Sequence, residues 1–127
     1  MTERSQTAER ADLPSLVLVP ATDVQGELEP KGQRAGADSG DPQMALRLLD
    51  TLGNGNVGIW ECEPGGWPIP SRVDTEASYL LSGAADVTDD STGITHRISA
   101  GDFLVMPTGW SGRWDVVEKV RKVYSIF

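Results

Sequence analysis

Short apolar runs broken by glycine and proline dominate this chain, and the clearest of them alternate with a period of two. From Val57 to Glu63, Val57, Ile59 and Glu61 share one face while Trp60 and Cys62 share the other. Glu76 to Leu81 is a second such run, ended by Ser82-Gly83, and Ala84 to Thr88 continues beyond that turn. Asp89-Asp90-Ser91-Thr92-Gly93 makes a hairpin loop, from which Ile94 to Ile98 returns. Ala100-Gly101-Asp102 turns the chain into Phe103 to Met106, which stops at Pro107-Thr108-Gly109. Trp114 to Val117 and Val120 to Phe127 are the last two runs.

The first half is sparser. Leu16-Val17-Leu18-Val19, closed by Pro20, reads as a first strand, and Met44 to Leu49 as another. Gly53-Asn54-Gly55-Asn56 reads as a turn, and Trp67 to Val73 as extended chain after Pro64-Gly65-Gly66. Residues 21 to 41 form a stretch rich in Gly, Pro, Asp and Glu that is long for a connection inside a domain. It either wraps over the sheet as an arm or carries a strand too short to see. Met1 to Asp12 is polar and without period, so residues 1–15 are expected to be a flexible leader and 16–127 a single domain. About nine short strands and no helical stripe predict an antiparallel sandwich or barrel.

The length of 127 residues suits one domain that buries roughly two-thirds of its unfolded surface. Fourteen glycines and eight prolines fit frequent turns. A net charge of −8 makes phosphate backbones and anionic lipid poor partners. Arg121-Lys122, near Lys119, is the one basic cluster and reads as the solvated end of a strand. With Cys62 as the lone cysteine there is no internal disulfide. No apolar run is long enough to span a bilayer, and the start lacks the apolar region of a secretory signal, so a cytoplasmic location is the default.

Two segments carry more than a fold class. Glu76-Ala-Ser-Tyr79-Leu-Leu-Ser-Gly83 puts six residues between a glutamate and a glycine. Gly101-Asp-Phe-Leu-Val-Met-Pro107-Thr-Gly109 puts five between a glycine and Pro-x-Gly. In order, with Gly58-Ile-Trp60-Glu61-Cys62-Glu-Pro64-Gly65 before them and Gly109-Trp110-Ser-Gly112-Arg-Trp114 after, they resemble the two-motif signature of the cupin superfamily. The context is similar to small single-domain cupins related to the ureidoglycine aminohydrolase cupin domain and to the ethanolamine-utilisation cupins, over residues 44–127. The resemblance implies an all-β, jelly-roll type antiparallel barrel with little or no helix, and pairing into a homodimer.

It also implies where a metal would sit. Metal-dependent cupins bring two histidines and a glutamate in the first motif and a third histidine in the second. On this chain the carboxylate position is Glu76, while the histidine positions hold Pro70, Arg72 and Gly112. None of these three binds a divalent ion, and Arg72 repels one. No metal and no other cofactor is therefore expected. The sole histidine, His96, lies outside both motifs and reads as a surface residue.

By resemblance the barrel mouth gathers Glu61, Arg72, Glu76, Trp110, Trp114 and Lys122. Alternation adds Ser78 and Leu80 to the inward face and sends Tyr79 outward. Glu76 is the candidate acid/base, its pKa raised by desolvation; Glu61, Arg72, Ser78, Trp110, Trp114 and Lys122 are candidate ligand contacts, with Glu61 in reach of Lys122. Trp60 reads as packing and Cys62 as a small buried hydrophobe. Three functions follow. One is a metal-free cupin that binds a small polar metabolite, with acid/base chemistry through Glu76. Another is a metal-dependent enzyme acting on a small ureide. The third is a non-catalytic dimeric binding or assembly protein.

Overall fold

Strand β9, Gly112–Ile126, is the spine of the molecule, because long strands pair with both of its edges. The computed structural model describes residues 13–52 and 55–127. On one side β9 runs antiparallel to β4 (Gly55–Cys62) and then β5 (Gly65–Ile69); on the other it pairs with β6 (Glu76–Asp89) over most of its length. β6 also pairs with β7 (Ile94–Ser99) and β8 (Phe103–Met106), while β4 pairs with β3 (Gln43–Leu52). All these pairings are antiparallel, so the all-β barrel class expected from the motifs is the one observed. The single described helix, α1, is one turn at Ala21–Val24. No helix among the described residues is long and apolar enough to cross a membrane.

The two closing runs of the sequence are one strand. Val117, Glu118 and Lys119 are exposed in its middle, opposite an irregular stretch of β6 around Ser82–Ala85. Gly83 makes that irregularity possible. Its φ is +84°, and a Cβ there would lie 2.0 Å from the Lys119 carbonyl oxygen, so only glycine fits. The shift also exchanges the faces of β6. Glu76, Ser78 and Leu80 are buried before it, Ala85 and Val87 after it. The result keeps a buried row along the whole strand despite the bend.

One expectation for the first half changes. Leu16–Val19 is not a strand: it runs without a ladder partner between Pro14 and Pro20, with Leu16 83% exposed. An apolar run forms a strand only where an edge accepts it. The segment after it, residues 21–41, carries strands too short to see in the sequence and also wraps across the sheet. It holds α1, then β1 (Glu29–Gln33) on the β3 edge and β2 (Ser39–Gly40) on the β5 edge. Since β1 and β2 lie at opposite ends of the strand path β1-β3-β4-β9-β5-β2, the chain between them crosses from one edge of the curled sheet to the other. Arg34 sits in that crossing. Of the turn at 53–56, Gly53 and Asn54 lie outside the described residues, as does the leader from Met1 to Asp12.

The core is a cluster that includes Cys62, Trp67, Leu80, Ala85, Met106, Trp114, Val116 and Val120. One end of it opens into the candidate site.

Candidate functional site

Alternation brings five strands to one cavity. From β9, Lys122, Tyr124 and Ile126 project inward with Trp114; from β6 comes Glu76; from β4, Trp60; from β5, Trp67 and Ile69. Met106 of β8 and two arginines outside the strands, Arg34 and Arg72, complete a lining around a cavity of about 190 Å³. That is room for roughly six waters.

At its centre is a buried ion pair. The Lys122 ammonium lies 2.6 Å from Glu76 Oε2, and both side chains are under a tenth exposed. Ser78 donates its hydroxyl to the same oxygen at 2.8 Å. Arg72 approaches Oε1 at 3.5 Å, and its guanidinium also donates to the Asp74 carboxylate at 2.8 Å and the Asp74 carbonyl at 3.1 Å. Lys122 is further held between two indoles, 4.5 Å from the ring centres of both Trp60 and Trp114. The three tryptophans form one group. Trp60 stands edge-on to Trp114 at 5.9 Å and to Trp67 at 6.2 Å, and Trp67 stacks on Trp114 at 6.2 Å. Trp60 donates its N–H to the Met44 sulfur and Trp114 to that of Met106.

These contacts decide the charges. Burial pushes the Glu76 carboxyl up, but the Lys122 charge and hydrogen bond, the Ser78 hydroxyl and Arg72 outweigh it, so its pKa sits below the ordinary carboxylate value. The expected rise is therefore corrected: the chain supplies the counter-charge that isolated burial lacks. Burial lowers the Lys122 pKa, with Glu76 opposing it. Arg34 is also lowered, chiefly by desolvation.

Of the residues singled out in the sequence, Glu76, Arg72, Trp114 and Lys122 meet at the cavity. Ser78 lies behind the carboxylate and braces it. Glu61 does not reach the site. Its carboxylate faces the other side of β4, where it accepts from Arg121 Nε at 3.0 Å and pairs with Lys119 at 2.9 Å. Arg121 in turn donates to the Val24 and Gly26 carbonyls, so this cluster docks the end of α1 on the outer face of the sheet. The basic cluster is thus no solvated strand end: Arg121 and Lys122 point to opposite faces and both are engaged. Trp110 is also outside the lining. Its N–H goes to Asp89 at 3.2 Å, and its backbone carbonyl accepts from the Arg72 N–H at 2.9 Å, so it braces the loop that carries Arg72.

Sequence reasoning missed Arg34, Trp67 and Tyr124 and gave Trp60 to packing. Tyr124 was within reach, since it shares the parity of Lys122. Arg34 was not, because the crossing segment has no period.

The cavity does not fit the divalent ion of metal-dependent cupins. Beside Glu76 an ammonium and a guanidinium already occupy the position of a cation and offer no lone pair, and the one neutral partner, the Ser78 hydroxyl, is spent on the carboxylate. At Gly112 a Cβ would fall 2.2 Å from the Thr88 carbonyl oxygen and 2.3 Å from the Trp110 ring, leaving no room for a ligating side chain. Among the described residues no group of three or more His, Cys, Asp or Glu is placed to hold a metal.

Comparison with known proteins places this geometry. A DUF861-family protein of unknown function from Pseudomonas syringae superposes with a TM-score of 0.73 at 22% identity, covering 83% of this chain and 46% of its own. The EutQ protein of Clostridium difficile gives 0.58 at 20% identity, covering 68% of this chain and 63% of its own. A DUF861-family protein from Thermotoga maritima gives 0.51 at 36% identity, over 54% of this chain and 76% of its own. The chain thus spans less than half of the Pseudomonas protein and under two-thirds of the Clostridium one. A search among curated proteins gives no match. The EutQ-like cupin domain matches residues 49–124, which span β4 to β9 and every cavity residue except Arg34 and, past the matched end, Ile126, and the chain belongs to that cupin family.

Proposed function

We propose that this cupin domain binds a small polar metabolite in the tryptophan-walled cavity, without a metal. The observation that carries this reading is a cavity of about 190 Å³ lined both by indole faces and by fixed charges. Apolar walls with a few oriented polar groups are the usual make-up of a ligand site. An ion pair kept only for stability needs no adjoining space, and buried pairs are poor stabilisers in any case.

The geometry favours binding over proton transfer. A carboxylate held below its ordinary pKa by Lys122 is a weak base and is not a proton donor near neutrality. Its second oxygen, Oε1, is the less engaged one and is suited to accept a hydrogen bond from a ligand. A ureide hydrolase that works through a metal has less support, because the donor set is unsuitable.

Filling the space tests the reading. Ile126 lines the cavity and is only partly buried, so Ile126→Trp occupies the space with little strain. In a thermal-shift screen of ureides, amino acids, hydroxy acids and sugars, at least one compound is expected to raise the melting temperature of the native chain and not that of the filled variant. A compound at a hundred times its Kd stabilises by about 2.7 kcal/mol. Equal stabilisation of both proteins overturns the reading.

A further inference from the structure

The lining carries three cations, Arg34, Arg72 and Lys122, against one carboxylate, Glu76, in a chain whose net charge is −8. Two of the cations are accounted for: Lys122 by Glu76 and two indoles, Arg72 by Asp74 and Glu76. Arg34 is different. It donates from one nitrogen to the carbonyl of its neighbour Ala35 at 2.9 Å and lies 5.2 Å over the Trp67 ring. Among the described residues no carboxylate lies within ion-pair distance of it. A half-buried guanidinium without a counter-ion is a costly arrangement unless something supplies the charge. Resting on an indole face, it still has N–H groups in its own plane to offer.

Its position is fixed by the fold. The Arg34 N–H donates to the Pro42 carbonyl at 2.9 Å, and the Asp38 N–H to the Gly66 carbonyl at 3.0 Å. Arg113 of β9 then grips the Asp38 carboxylate with two nitrogens, at 2.9 and 2.8 Å. The segment that crosses between the sheet edges is therefore pinned at Arg34 and again at Asp38, and the pinning delivers this one side chain to the cavity.

We infer that the ligand is a small organic carboxylate whose charge is bound by Arg34. The inference rests on the ligand-binding reading above and narrows it. A planar carboxylate matches the planar guanidinium fork, and a single unpaired cation balances a monoanion. A volume of about six waters suits a small ligand, with about six non-hydrogen atoms inside the cavity at one atom for each water displaced. A hydroxyl on such a molecule can donate to Glu76 Oε1, so the class is a short hydroxy acid.

The three cavity tryptophans provide the readout. Glycolate, lactate and 3-hydroxybutyrate are titrated against tryptophan fluorescence, beside their uncharged amides and inorganic phosphate, to about 20 mM, enough to fill a site of millimolar Kd. At least one hydroxy acid should give a saturable change, with its amide and phosphate weaker. Arg34→Gln should weaken that acid about 10- to 100-fold, as for losing a charged hydrogen bond, and Arg34→Lys less. An unchanged melting temperature of the unliganded variants shows that they fold. Amides that bind as well as acids, phosphate that binds best, or an Arg34→Gln protein that binds equally would each overturn the carboxylate assignment and leave the cavity reading standing. No response to any probe, together with no hit in the thermal-shift screen, would overturn both.

Discussion

Glu76 and Lys122 are each tolerable only because the other is there. Removing one partner leaves a buried charge uncompensated, which costs about 3–5 kcal/mol, whereas replacing both with apolar or neutral groups of similar size is far milder. Glu76→Gln is therefore expected to lower stability by that amount in urea unfolding, and the double variant Glu76→Gln with Lys122→Met to recover most of it. The pH dependence has a definite sign. A carboxyl whose folded pKa lies below its ordinary value of 4.5 stabilises above that value, and the contribution is lost as pH falls through the folded pKa. Lys122, also lowered, adds stability only as pH rises toward its ordinary 10.5. The native chain should thus lose stability below about pH 4.5 more steeply than the double variant, and equal acid limbs would show that the pair is not charged in the folded state. Cys62 belongs to the same scale. Burial pushes its thiol up to about 12, so it should resist alkylation at pH 8 until the chain is unfolded, as mass spectrometry of iodoacetamide adducts would read.

Strand β6 shows how a local device serves an element. The alternation of Glu76, Ser78 and Leu80 was legible in the sequence, and so was the glycine that ends it. What was not legible is that the strand continues through Gly83, because the sequence signal for a turn and for a bulge is the same residue. Gly83→Ala adds a Cβ into the Lys119 carbonyl at a positive φ, and should cost several kcal/mol, more than the roughly 1–3 kcal/mol of backbone strain alone. Gly93→Ala, with φ +75° in open space, carries only the strain. If the two variants unfold at the same urea concentration, the close approach between β6 and β9 is not what holds this register. Glu61 teaches a similar point. Its face was read correctly as that of Val57 and Ile59, but β4 is covered on both sides, so sharing a face with apolar residues did not mean facing the cavity.

At the scale of the whole molecule, the outer face of β6 and β8 leaves apolar groups uncovered. Tyr79 lies opposite Phe103, which is 66% exposed, and Ala77 opposite the exposed Val105. If the homodimer implied by the cupin resemblance uses this row, Phe103 lies in its interface. Light scattering should then give twice the 13.7 kDa chain mass, and Phe103→Glu should halve it; a native chain that runs as a monomer sinks the idea. The same scale divides what each kind of information could supply. The sequence by itself determined the all-β class, the family and the lack of metal-binding side chains at the cupin positions, because each is written in the period, the turn residues or the chemistry of single positions. Only the tertiary structure decided that Arg34 reaches the cavity, that Glu61 and Trp110 do not, and that Glu76 is held ionised rather than raised. Those depend on which strand edges the chain between β1 and β2 joins and on how close Lys122 comes to one carboxylate. Neither distance is local, so no window of residues could contain it.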